Sequence, residues 1–159
     1  MSFKVNKDDV DKVLKAIHGM AGQHALIGIP APKTTRKDGP VGNAAIGYIQ
    51  ERGSAAQNIP ARPFLQPGVL AVRTQCADAL KVSAVDALSH NTTAIVNGLN
   101  AAGLIAQASV KRTLKAGEGF EKLADATVKA RQRKGFKGTK PLIRTGQLLN
   151  SITYVVRDR

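Results

Sequence analysis

Apolar residues recur every three or four positions in several segments of the chain, which is the spacing of one helix face. The first such segment carries Val10, Val13, Leu14 and Ile17. Asn6 can cap this predicted helix, and Gly19 and Gly22 end it. A second, shorter helix is predicted over residues 43–52, because Gly53 stands just past its end, where helices are commonly terminated.

Two longer helices are predicted in the middle of the chain, antiparallel or end to end. The apolar series of the first is Val69, Val72, Cys76, Leu80, Ala84 and Leu88. A polar break at 89–93 separates it from a second series, which is Ile95, Leu99, Ala102, Ala106, Val110 and Leu114. Gly98 and Gly103 permit a close approach of the partner helix. Two shorter helices follow, one over 123–133 and one that Thr145 caps and that runs to 150.

Two short runs have the composition of strands. Residues 25–30 form an apolar run bounded by Pro30 and Pro32, and residues 152–156 alternate and are β-branched. Each is too short to be stable alone, so we expect them to pair. The fold class predicted for residues 1–159 is therefore a single α+β domain, with several helices packed on a small mixed or antiparallel sheet.

Residues 53–68 predict an extended proline-rich arm. Three prolines fall within 58–68, where each fixes φ, removes a backbone donor and biases the preceding residue towards extended conformations. A helical pattern is expected to start only after Pro67 and Gly68. The arm is interpreted as a subunit contact made by Ile59, Arg62, Phe64 and Leu65. The alternative is a loop folded against its own domain.

The chain has 24 Lys and Arg against 11 Asp and Glu, a net charge of +13 that predicts an anionic partner. Much of the excess lies in residues 111–144, which include a glycine-rich loop. The candidate contacts with an anionic surface are Lys111, Arg112, Lys115, Arg131, Arg133, Lys134, Lys137 and Lys140. Few aromatic residues lie among them, so any nucleic-acid contact is expected with phosphates rather than bases. The alternative is a solvated surface that only aids solubility.

No catalytic or metal-binding pattern stands out. The three histidines have no metal-ligand spacing, there is no G-x-S-x-G motif, and Cys76 is interpreted as a small core residue. The glycine-rich loop lacks the order and spacing of a phosphate-binding loop. No segment resembles a membrane span or a signal peptide, so an intracellular protein without a cofactor or a membrane partner is expected.

Four segments resemble proteins of tailed bacteriophages. Residues 27–30, 43–53 and 58–65 resemble, in this order, small neck and tail-completion proteins. Residues 123–131, followed by residues 140–152, are similar to a signature of virion-morphogenesis proteins, in which leucine, threonine and arginine precede the motif P-L-x-x-T-G-x-L-x-x-S-I. The resemblance implies a non-enzymatic head–tail joining subunit, made in the host cytoplasm and located in the neck or tail of the virion.

The expected partners are copies of the chain itself in a cyclic ring, together with neighbouring neck and tail proteins. The basic segment also allows non-specific contact with packaged DNA. Two alternatives remain open, a tail terminator ring and a non-enzymatic nucleic-acid-binding module that acts alone. A small hydrolase is a third, and it would need a pocket with convergent polar groups.

Overall fold

The computed structural model describes residues 7–30, 40–89, 91 and 93–158, which form an α+β fold. The elements are α1 (Lys7–Gly22), β1 (Gln23–Gly28), α2 (Asn43–Arg52), a short 3-10 helix (Ala55–Gln57), α3 (Leu65–Leu70), α4 (Arg73–Leu88), α5 (Ala94–Ala116), α6 (Asp125–Arg133), α7 (Gln147–Ser151) and β2 (Thr153–Asp158). The predicted fold class is thereby confirmed. The predicted cap Asn6, the boundary residue Pro32, and residues 90 and 92 of the polar break lie outside the described residues.

The two strands pair in an antiparallel sheet, as the sequence predicts. Their register places Gln23 opposite Asp158 and Gly28 opposite Thr153. Helix α5 packs against both strands. The contact is close at Gly103, because a Cβ atom there would overlap the ring of Tyr154. The hydroxyl of Tyr154 donates a hydrogen bond of 3.1 Å to the side-chain oxygen of Asn100, which orients the ring along α5.

Helices α4 and α5 form an antiparallel hairpin. Gly98 near the start of α5 faces Ser83, whereas Ala102 further along α5 faces Cys76 near the start of α4. The Cys76 thiol donates to the Ala102 carbonyl at 3.5 Å, and burial raises the pKa of this thiol. Both observations agree with the interpretation of Cys76 as a packing residue, since a raised pKa disfavours the reactive thiolate.

The main core cluster joins the arm to the helical hairpin and to the end of the chain. It consists of Phe64, Val110, Leu114, Leu148 and Ile152, of which Ile152, Val110 and Leu114 are fully buried. Helix α3 approaches α5 closely at Gly68, where a Cβ atom would lie 2.6 Å from the Cα atom of Val110. The arm is thus packed against its own domain.

Three details of the predicted fold are wrong. Helix α3 begins at Leu65 and runs through Pro67, because the third residue of a helix has no intrahelical partner for its N–H and proline therefore loses no bond there. The single helix predicted from Val69 is interrupted at residues 71–72 and becomes α3 and α4. Helix α7 follows Gly146, which has a φ of 74°, and is not capped by the Thr145 side chain.

We expect Phe64→Ala to lower the free energy of unfolding by about 3–5 kcal/mol, because it leaves a cavity in the core. Leu70→Ala is the matched control. Because Leu70 is 57% exposed, this substitution should lower the free energy of unfolding by less than about 1 kcal/mol. Denaturant unfolding followed by circular dichroism measures both. Equal losses in the two variants would contradict the placement of Phe64 in the core.

Candidate docking surfaces

Backbone hydrogen bonds close the first part of the arm on itself and join the arm to α2. Ser54 and Ile59 exchange two such bonds, with N–O distances of 2.8 and 2.9 Å, which closes the loop that contains the 3-10 helix. Asn58 accommodates this loop with a positive φ of 49°. The Arg62 N–H then donates to the Gln50 carbonyl at 2.6 Å. The arm is therefore a fixed segment whose residues face in defined directions.

The carboxylate of Glu51 binds the start of α3. Its Oε2 atom accepts the backbone N–H groups of Phe64 and Leu65 at 2.7 and 2.8 Å, and its Oε1 atom accepts that of Gln66 at 2.9 Å. The first N–H groups of a helix lack intrahelical partners, and a negative charge is favoured at this end. A side chain from α2 thus does what a local N-cap residue usually does. Sequence reasoning missed Glu51, and its only signal was the lack of a capping side chain before Leu65.

The prediction that Phe64 and Arg62 contact a neighbouring subunit is corrected. Phe64 is 3% exposed and Arg62 is 6% exposed, so their own domain already covers both side chains. The physical reason is that the arm folds against its own domain, which was the alternative interpretation. Ile59 and Leu65 are half-buried, and their role in a subunit contact stays a prediction.

An apolar cleft of about 730 Å³ runs along β1 on one side of the arm. Its walls include Phe64 and Leu65 together with parts of α2 and α3. Leu26, Tyr48 and Leu70 belong to its lining and are 44%, 68% and 57% exposed. Within the described residues, β1 pairs with β2 alone, so its other edge has no strand partner. An open strand edge beside apolar side chains is a typical docking surface.

A second cleft, of about 600 Å³, lies on the other side of the arm. We call it the arginine cleft, because Arg62, Arg131 and Arg144 all line it. Arg131 donates from Nη1 to the Lys140 carbonyl at 2.8 Å, and the Arg144 guanidinium lies 5.3 Å from the centre of the Phe136 ring. Burial, and then the positive charges of Arg144 and Arg62, lower the pKa of Arg131. Arg62 and Arg144 are therefore each close enough to Arg131 for their charges to act on it.

The predicted anionic-surface residues do not share one environment. Arg131 points into the arginine cleft, and Lys140 donates to the Lys115 carbonyl at 3.4 Å, at the end of α5. These two residues hold the glycine-rich loop in place. Lys111 is half-buried, whereas the remaining members are exposed, namely Arg112, Lys115, Arg133, Lys134 and Lys137. Contact of the exposed members with an anionic surface stays a prediction.

The described residues contain no group of three His, Cys, Asp or Glu side chains that could hold a metal ion. His18 is exposed on α1, and His24 lies in β1 opposite Arg157. Within the same part of the chain, no helix is both long and apolar enough to cross a bilayer.

We expect Glu51→Gln to lower the free energy of unfolding by about 1–3 kcal/mol, because the charge-assisted bonds to the start of α3 are lost. Glu118→Gln is the control, since Glu118 is exposed beyond the end of α5 and accepts no hydrogen bond in the described structure. Denaturant titration measures the difference. If both variants match the parent protein, the carboxylate does not stabilise α3.

We expect Lys134→Glu combined with Lys137→Glu to weaken binding to a short DNA duplex by about tenfold or more at low salt, because contacts with phosphate are lost. Lys15→Glu combined with Lys81→Glu makes the same charge change at exposed positions on α1 and α4. Fluorescence anisotropy at several salt concentrations compares the two pairs. Equal effects would show that only net charge matters.

Comparison with known proteins identifies no relative. No protein-family model, curated protein or solved structure matches the chain. Any assignment of function therefore depends on the residues of the chain and on their arrangement.

Proposed function

We propose that the protein is a structural subunit of a tailed-bacteriophage virion, which forms a cyclic ring at the head–tail joint or at the upper end of the tail. The observation that carries the proposal is the environment of Gly47. A Cβ atom on Gly47 would lie 3.0 Å from Ile29, 3.7 Å from Leu148 and 3.9 Å from Phe64. These three residues and Gly47 come from the four segments that resemble phage neck, tail-completion and virion-morphogenesis proteins.

The convergence at Gly47 supports the proposal, because residues from all four segments pack against one another. Gly47 is buried and leaves room for the Ile29 side chain, while Phe64, Leu148 and Ile152 belong to the core cluster. A protein that shares these residues would share the packing that they form. The residues that carry the resemblance are thus residues that determine the fold. This supports the proposal that the chain shares a fold, and with it a role, with the phage proteins that it resembles.

A closed ring needs two different surfaces on each subunit, because each copy contacts one neighbour on either side. The apolar cleft along β1 supplies one surface. Helix α1 supplies another, since Val10, Leu14 and Ile17 follow one helix face and are each 47–48% exposed. Exposed apolar patches of this kind mark interaction sites. We assign the α1 face of one subunit to the cleft of the next.

Two variants test this arrangement by disabling one surface each. Tyr48→Asp with Leu70→Asp places charges in the cleft, and Leu14→Asp with Ile17→Asp places charges on α1. We expect each variant to remain folded and monomeric under conditions in which the parent protein assembles, because a buried, unpaired carboxylate is costly. Val82→Asp is the control, since Val82 is 70% exposed on α4 and should not affect assembly.

Mixing the two variants gives the sharpest result. In the mixture, one variant contributes an intact cleft and the other contributes an intact α1 face. A single contact can therefore form, and a heterodimer is expected instead of a ring. Analytical ultracentrifugation and negative-stain microscopy distinguish the two. Homodimers in either variant alone, or assembly lost with Val82→Asp, would contradict the assignment. A parent protein that stays monomeric and binds DNA with strong salt dependence would favour the nucleic-acid-binding alternative.

A further inference from the structure

We propose that the arginine cleft binds the carboxylate of an acidic peptide segment from a partner protein. Three guanidinium groups line the cleft, and one of them, Arg62, is nine-tenths buried and has no counter-charge among the described residues. The proposal concerns a binding site and its ligand chemistry, and it does not depend on ring formation.

Arg62 provides the main evidence. Its Nε atom donates to the Glu121 backbone carbonyl at 3.0 Å, and its Nη1 atom donates to the Gln50 side-chain oxygen at 3.2 Å. Both acceptors are neutral, and Arg62 makes no ion pair within the described part of the chain. Burying a charge without a partner of opposite charge is costly. An anion that enters the cleft would remove this cost.

A hydrogen-bond donor of Arg62 remains for such an anion. Its second terminal nitrogen, Nη2, makes no hydrogen bond in the described structure. No buried side-chain nitrogen or oxygen of the described residues lacks a partner, so Nη2 must keep some contact with solvent. Since Arg62 lines the arginine cleft, we infer that Nη2 is reached from there.

The neighbouring charges strengthen the case for an anion. Arg131 uses Nη1 for backbone carbonyls of the glycine-rich loop, which leaves its Nε and Nη2 atoms without hydrogen bonds among the described residues. The charges of Arg144 and Arg62 act on Arg131 strongly enough to lower its pKa, in addition to burial. Glu121 lines the same cleft but makes no ion pair with Arg62 or Arg131. The cleft is therefore positively charged and open to a ligand.

The shape of the cleft favours a peptide over DNA. Its walls include Ile46, Ile59, Leu123 and Leu142, which suit apolar side chains beside an acidic one. A guanidinium binds a planar carboxylate through two parallel hydrogen bonds. The phosphates of a duplex lie on the outside of a broad rod, which fits a side chain as buried as Arg62 less well than a narrow peptide does.

A fluorescein-labelled hexapeptide of alternating glutamate and leucine is a suitable probe, and its glutamine–leucine counterpart is the peptide control. We expect the full-length protein to bind the glutamate peptide about tenfold or more tightly than the control, because hydrogen bonds to a charged partner are strong. Fluorescence anisotropy at physiological ionic strength measures both. Equal affinity for the two peptides, or no binding of either, would overturn the proposal.

Substitutions place the binding at the arginine cleft. Arg131→Gln should weaken binding of the glutamate peptide by about tenfold. Arg133→Gln removes the same charge two residues away at an exposed position, and it should change the affinity by less than about twofold. Arg144→Gln is a second variant inside the cleft, and thermal unfolding shows whether either cleft variant stays folded. Equal losses for Arg131→Gln and Arg133→Gln would overturn the proposal.

Two further measurements separate this proposal from other outcomes. In the first, a short DNA duplex is added to the peptide complex. If the duplex displaces the peptide, and if Arg131→Gln weakens binding of the duplex, the cleft binds nucleic acid and the peptide proposal is overturned. The variant Tyr48→Asp with Leu70→Asp should bind the glutamate peptide normally, because those residues line the other cleft. Failure of ring assembly and failure of peptide binding are thus distinguishable.

Discussion

The arrangement of the arm depends on the carboxylate of Glu51. By accepting three backbone N–H groups, this side chain fixes where α3 begins. The start of α3 places Phe64 in the core and leaves Arg62, two residues earlier, on the opposite side of the arm. Both clefts thus share one wall, and a single contact between α2 and α3 determines the shape of each.

Much of the fold could be predicted from local patterns. Helical spacing identified α1, α2 and α5, and β-branched alternation identified β2, because the period of the apolar residues is written in the local sequence. The period does not show whether the fold covers that face, since Val10, Leu14 and Ile17 of α1 remain 47–48% exposed. The start of α3 could not be predicted in this way. Its capping carboxylate comes from α2, thirteen or more positions earlier, and nothing in the local pattern of residues 58–68 indicates it.

The candidate sites were harder to predict, for a different reason. The apolar side chain of Phe64 predicts that this residue is buried. It does not show whether the residue is buried by its own domain or by a neighbouring subunit. The charge of residues 111–144 likewise did not show that Arg131 points inwards while Arg133 remains exposed. The arginine cleft joins Arg62 to Arg131 and Arg144, which are far apart in the chain, so only the tertiary fold brings them together.

The pairing of β1 with β2 has a consequence for the order in which the chain folds. Gln23 and its partner Asp158 are separated by 135 positions, whereas the α4–α5 hairpin is closed by a loop of only a few residues. Contacts that are local in the chain form early, and long-range strand pairing forms late. During synthesis on the ribosome, β1 emerges well before its partner strand, so its apolar residues stay without that strand until the last helices have emerged.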